Sequence, residues 1–164
     1  MNIELWQNLE QKFPFMRRDK ANDGSNTYQS WGFECGTGWY DLLHDLCQAI
    51  TERYERDGIP VDIVVQQVKE KYGTLRFYYW FDGSATVAVD VSGKNSIRVP
   101  TGEEEDAKRA VLRRDIADIV ALYEDKSETV CEKCGSEGSL REELPWIRVL
   151  CDECYQKGMQ ALKK

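Results

Sequence analysis

Four cysteines in the C-terminal quarter are the residues best suited to chemistry: Cys131, Cys134, Cys151 and Cys154. They form two C-x2-C pairs separated by sixteen residues, in the stretch CEKCGSEGSLREELPWIRVLCDEC. Thiolates are soft ligands, and each short C-x2-C turn can present two sulfurs to one ion, so the spacing is that of a zinc ribbon. Gly135 relieves crowding after the second ligand, and residues 140–150 are expected to form the hairpin between the knuckles. Four protein ligands leave no open position for water or substrate. The expected cofactor is therefore one structural Zn2+ ion. An iron–sulfur site or a redox dithiol are the alternatives for the same ligands.

Two cysteines remain. Cys47 lies on the flank of an apolar helical stripe and reads as a small core residue. Cys35 sits in Gly-Phe-Glu-Cys-Gly just before a helix start, where a thiolate is stabilised. With His44, the only histidine, it sketches a Cys–His nucleophile, the alternative reading of the chain as a thiol enzyme. His44 maps to the outer face of its helix, however, and no third group orients it. Phosphate-cradling glycine loops, HExxH, GxSxG and kinase signatures are all absent from the sequence. The expectation is a protein without catalytic machinery.

A third constellation lies upstream. Lys69, Lys71 and Arg76 cluster at the tip of an expected hairpin, with Tyr78 and Trp80 on the face of Arg76. Aromatic faces stack on bases, while Lys and Arg pair with phosphates. Trp31, Phe33 and Trp39 complete the candidate ligand-binding set. The competing reading covers this face with helices and leaves the charges at a solvated rim. Arg17, Arg18 and Lys20 read as a solvated loop.

These residues need elements to position them. Residues 3–13 have helical spacing with Asn2 as N-cap, whereas 14–37 show no clear period apart from alternation at Trp31, Phe33 and Cys35 that suits a short strand. A second helix runs from a Thr37 cap to Asp57-Gly58. Residues 61–69 and 74–81 read as a hairpin closed by a type I turn with a bulge at Gly73. A helix over 60–72 is the rival, given Val61, Val64, Val65 and Val68. In the strand reading Leu75, Phe77, Tyr79 and Phe81 share one side. Further strands are expected at 87–91 and 97–99, then a capping box at Thr101–Glu104 opens a long helix to about Lys126, with Leu112, Ile116, Ile119, Val120 and Tyr123 buried. The fold class is α+β: a small antiparallel sheet packed with about three helices in residues 1–128, then a zinc ribbon in 129–164.

Charge limits the partners. The 164 residues carry 22 basic and 29 acidic side chains, a net charge of −7, and four thiolates on zinc would add two more negative charges. Non-specific nucleic-acid binding, which depends on phosphate neutralisation, is disfavoured. A local basic pocket can still hold a small anion. The start of the chain lacks a basic segment followed by an apolar one, and no apolar run can span a bilayer. Together with paired cysteines used for metal, this points to a reducing, cytoplasmic setting away from membranes.

Gly-Phe-Glu-Cys-Gly-Thr-Gly-Trp at 32–39, Gln-Val-Lys-Glu-Lys-Tyr-Gly-Thr-Leu-Arg-Phe-Tyr at 67–78 and the C-terminal cysteine pairs together resemble small accessory proteins encoded by bacteriophages and prophages. The resemblance covers roughly half the chain and implies a viral accessory protein acting in the bacterial host cytoplasm. By analogy it implies a counter-defence role, either a sponge for a nucleotide-derived signal or an inhibitor of a host protein. The expected partner is a small anionic ligand or that host protein, with a homo-oligomer open. In the second case Trp146, Ile147 and Val149 would be exposed on the ribbon hairpin.

Overall fold

The computed structural model describes residues 2–18, 26–81 and 103–162. Helix α1 (Ile3–Lys12) starts as the sequence predicts, with Asn2 Oδ1 accepting the Glu4 N–H at 3.0 Å. The stretch read as irregular holds several short elements: a 3-10 turn at Pro14–Met16, helix α2 (Thr27–Trp31) and strand β1 (Phe33–Glu34). None is long enough to show a period. Asn26 sets α2 in place, capping it through the Gln29 N–H and donating its own amide to the Val65 carbonyl at 2.9 Å. The expected strand at Trp31–Cys35 therefore shrinks to Phe33–Glu34, and Trp31 ends α2.

Helix α3 (Tyr40–Asp57) buries Leu42, Leu43, Leu46, Ile50 and Tyr54 and stops at Gly58, which is left-handed with φ +65°. Thr37 is not its cap. A 3-10 turn (Thr37–Trp39) leads into the helix, and the Thr37 hydroxyl instead accepts the Asn2 N–H. Cys47 is fully buried in the core.

Strands β2 (Ile63–Lys71) and β3 (Thr74–Phe81) pair antiparallel. The rival helix is excluded, and the register shows why it was plausible. An irregularity between Val65 and Gln67 shifts the alternation, so Val65 and Val68 both face the core. A bulge has the three-residue apolar spacing of a helix turn. The connection is Tyr72 (φ +54°) and Gly73 (φ +82°). Two consecutive positive φ values make it a two-residue turn of type I′, matching the strand twist better than the expected type I turn. Leu75 and Phe77 face the core, and Arg76, Tyr78 and Trp80 the other side, as the period predicts.

β1 joins β2 in parallel, Phe33 opposite Val68, so the sheet is mixed with order β1-β2-β3. Helix α4 (Glu103–Ser127) buries Leu112, Ile116 and Val120, with Ile119 and Tyr123 half-buried. It also lies along the edge of β3. Glu124 Oε1 accepts the Phe77 N–H and Ser127 Oγ the Leu75 N–H, each at 2.8 Å. The strands expected at 87–91 and 97–99, and the cap at Thr101 and Gly102, lie outside the described residues.

The C-terminal part contains strands β4 (Ser139–Arg141) and β5 (Arg148–Leu150), paired antiparallel, and helix α5 (Asp152–Leu162), which begins inside the second C-x2-C pair. Cys131, Leu150 and Cys154 form a small buried cluster apart from the main core. The architecture is α+β, as the pattern predicts. No helix among the described residues is long and apolar enough to cross a membrane.

Ser127 is fully buried and donates to the Glu124 carbonyl while accepting from Leu75. Ser127→Ala strands the Leu75 N–H without an acceptor. The expected loss is about 1–3 kcal/mol of unfolding free energy, the cost of an unmet buried donor, measured by urea denaturation. An unchanged midpoint would refute this role for the hydroxyl.

Candidate functional site

The four ligand sulfurs of Cys131, Cys134, Cys151 and Cys154 lie within 4.8 Å of one another, a group able to hold a metal ion. Cys134 and Cys151 Sγ are 3.6 Å apart. Four sulfurs about 2.3 Å from a tetrahedral zinc ion stand roughly 3.8 Å apart, so the cluster fits that ion. The first knuckle closes by two backbone bonds, Cys131 N–H to the Ser136 carbonyl and Gly135 N–H to the Cys131 carbonyl. Hydrogen bonds from Ser136 pull the Cys134 thiol well below its ordinary pKa, favouring the ligating thiolate.

The same knuckle is held by the upstream chain. Gly36 N–H donates to Glu132 Oε1 and Gly38 N–H to the Glu132 carbonyl, both at 2.8 Å. The indole N–H of buried Trp39 donates to the Val130 carbonyl, also at 2.8 Å. The approach is close enough to require glycine. A Cβ on Gly38 would stand 2.3 Å from the Cys131 carbonyl oxygen and 2.6 Å from the Cys134 nitrogen. The segment 32–39 is thus the seat of the cysteine knuckle.

A second contact joins the β2–β3 tip to the C-terminal hairpin. Glu70 bridges them, its Oε1 accepting the Gly73 N–H and its Oε2 the Trp146 indole N–H, each at 2.6 Å. Leu140 fills the space beside Gly73, where a Cβ would come within 2.4 Å of its Cδ1.

Between the tip and the C-terminal hairpin lies an open groove of about 700 Å³, lined by Glu34, residues 69–72, Glu132 and residues 145–148. This volume suits a small-molecule ligand. Lys69, Lys71 and Arg148 face Glu34, Glu70 and Glu132, but the two signs are not equally committed. Glu70 holds Gly73 and Trp146. Glu132 holds Gly36 and lies 3.7 Å from Arg148 Nε, while Glu34 accepts from Gln67. Burial pushes the Glu132 carboxyl up, against the opposing pull of Arg148 and the Gly36 N–H. Lys69 and Lys71 form no ion pair among the described residues; each ammonium lies over a tyrosine ring, Tyr78 at 5.5 Å and Tyr72 at 5.7 Å.

The candidate residues named from sequence separate. Lys69 and Lys71 line the groove. Phe33 and Trp39 are in the core, the former edge-on to Trp6 and Tyr28, so neither ring has a face to offer a ligand. Arg76 turns to Glu124 on α4, 3.6 Å away. Tyr78 and Trp80 are exposed on the outer sheet face, and Trp31 is exposed at the end of α2; none of the three lines the groove. The sequence reading missed Tyr72 and Glu70, and it placed Trp146 at the ribbon and not at the tip. Of the ribbon residues expected to be exposed, Trp146 is, Ile147 is half-buried, and Val149 is fully buried.

Cys35 is buried, and burial pushes its thiol up to about 12. At neutral pH it is protonated, the opposite of what a nucleophile requires. His44 is engaged with Lys12 and Asp45. No family model matches the chain, and neither a curated protein nor a solved structure matches it.

Two outcomes follow from this geometry. Gly38→Ala should lift the knuckle off its seat while leaving all four cysteines in place. We expect the metal content per chain to be unchanged, but Trp39 emission to shift to the red and stability to fall by about 2 kcal/mol or more, as for other overpacked sites. In the native protein at pH 8, Cys35 should resist iodoacetamide, with alkylation appearing only on denaturation; rapid native labelling would contradict its protonated, buried state.

Proposed function

We propose that the protein is a non-enzymatic binding protein. It holds one structural zinc ion on Cys131, Cys134, Cys151 and Cys154 and takes a small anionic, ring-bearing ligand in the groove between the β2–β3 tip and the C-terminal hairpin. The observation that carries this reading is the imbalance of commitments in the groove. Its carboxylates are engaged by the chain's own donors, while Lys69 and Lys71 have no carboxylate partner and stand beside the exposed rings of Tyr72 and Trp146. Ammonium groups and aromatic faces are the complement of a phosphate joined to a base. In the setting that the resemblance implies, the ligand is a nucleotide-derived defence signal and the protein a cytoplasmic viral accessory factor that sequesters it. The thiol-enzyme alternative lacks support in the protonated state of Cys35.

A second reading keeps one specific observation in its favour. A neighbouring groove of about 430 Å³ includes the apolar residues Leu144, Pro145, Leu150 and Leu162, and Trp146 lines both grooves. That apolar side suits a segment of a host protein, with Trp146 as its anchor.

Isothermal titration of the zinc-loaded protein with adenosine monophosphate and with a 5′-phosphorylated linear dinucleotide tests the first reading. We expect saturable binding of at least one of them, weakened about tenfold or more by Lys69→Ala combined with Lys71→Ala and unchanged by Trp31→Ala. A charge-assisted hydrogen bond of ~1.5–3 kcal/mol corresponds to that factor. Absence of saturable binding up to millimolar concentration would remove the reading. Chelation of the metal should abolish binding and lower the melting temperature together, since the first knuckle and the groove share Glu132.

A further inference from the structure

The two uncommitted lysines of the groove lean away from each other. Lys69 and Lys71 are two residues apart on β2, beyond the irregularity at Val65–Gln67, so their side chains leave the same face. Their α-carbons are ~6.8 Å apart at the usual strand rise. Lys69 lies over Tyr78, which pairs with Gln67, toward the start of the strand. Lys71 lies over Tyr72, in the turn past the strand's end. The ammonium groups are therefore drawn in opposite directions along the strand axis. Each rests on a ring face that also attracts it.

One phosphate cannot contact both while they stay there, because its oxygens belong to a single tetrahedron. The phosphates of a diphosphate share an oxygen and are nearly as close together. Glu70 lies between the two lysines in the chain and holds the Trp146 indole N–H, so that ring is tethered at the level of the interval between them. The groove therefore offers a cationic point, a ring, and a second cationic point in sequence. We infer that its ligand is a dinucleotide, linear or cyclic, with one phosphate at Lys69, the other at Lys71, and a base against Trp146. This inference rests on the ligand-binding reading of the groove and narrows it from nucleotides in general to those with two phosphates separated by a sugar.

The test is titration of the full-length, zinc-loaded protein with adenosine monophosphate, pyrophosphate, a 5′-phosphorylated linear dinucleotide and a cyclic dinucleotide. At least one dinucleotide should bind tenfold or more tightly than the monophosphate and than pyrophosphate. Lys69→Ala or Lys71→Ala alone should bring that dinucleotide down to the level of the monophosphate, whose own affinity changes by no more than about twofold because the other lysine remains. Trp146→Ala should weaken mono- and dinucleotide alike and leave pyrophosphate unaffected. Both lysines are surface residues, and unchanged circular dichroism of the variants confirms folding. If mono- and dinucleotides bind equally and both are lost with the paired lysine substitution, the dinucleotide inference is overturned while ligand binding at the groove stands. A dinucleotide preference that survives each single lysine substitution also overturns it. If none of the probes binds, both fall.

Discussion

The contact on which the rest depends is the backbone-to-backbone seat between Gly36–Gly38 and the first cysteine knuckle. Two amide hydrogens of that turn are spent on Glu132, one on its carboxylate and one on its carbonyl. Trp39 continues the seat with an indole bond to Val130 while its ring fills the core beneath α3. A short cysteine-bearing segment has little apolar surface of its own, only the cluster around Cys131, Leu150 and Cys154. It gains its orientation from donors on the larger part. Metal binding organises such a segment because the ligand turns exist as a set only when folded.

The charge of the groove shows why counting residues is a poor guide to what a surface binds. Three carboxylates and three basic groups line it, in a chain whose formal charge is −7. Each acid has a structural duty: Glu70 ties tip to hairpin, Glu132 ties knuckle to turn, Glu34 ties β1 to Gln67. What remains available to a ligand is basic. Electrostatic complementarity lies in the uncommitted groups, since a hydrogen-bonded carboxylate has already exchanged water for protein donors.

Much of this was legible in the sequence. The caps Asn2 and Gly58, the stripes of α3 and α4 and the alternation of β3 are local patterns, and local patterns survive folding. The cysteine spacing named a metal site because ligand geometry is nearly independent of the rest of the chain. Other features were not legible, for physical reasons. β1 is two residues long and exists only because β2 offers it partners. The bulge in β2 copied a helical period. Phe33 and Trp39 carry the same chemistry as binding aromatics, and only their packing against α1, α2 and the knuckle shows that they belong to the core. Trp146 reaches the tip through Glu70, a contact between residues 76 positions apart that no spacing encodes.

One feature of the sheet bears on how the molecule stays single. Along Leu75–Phe77 the outward amide hydrogens of β3 point not to solvent but to the Ser127 hydroxyl and the Glu124 carboxylate. Burial raises the pKa of that carboxyl, and the Phe77 N–H and Arg76 pull against the rise. Helix α4 thus occupies the place where another strand could add, using side chains in lieu of a backbone. A second molecule, or an aggregating fragment, meets a rim there with no free donors to extend. Growth of the sheet is closed at that position by the same helix that completes the core.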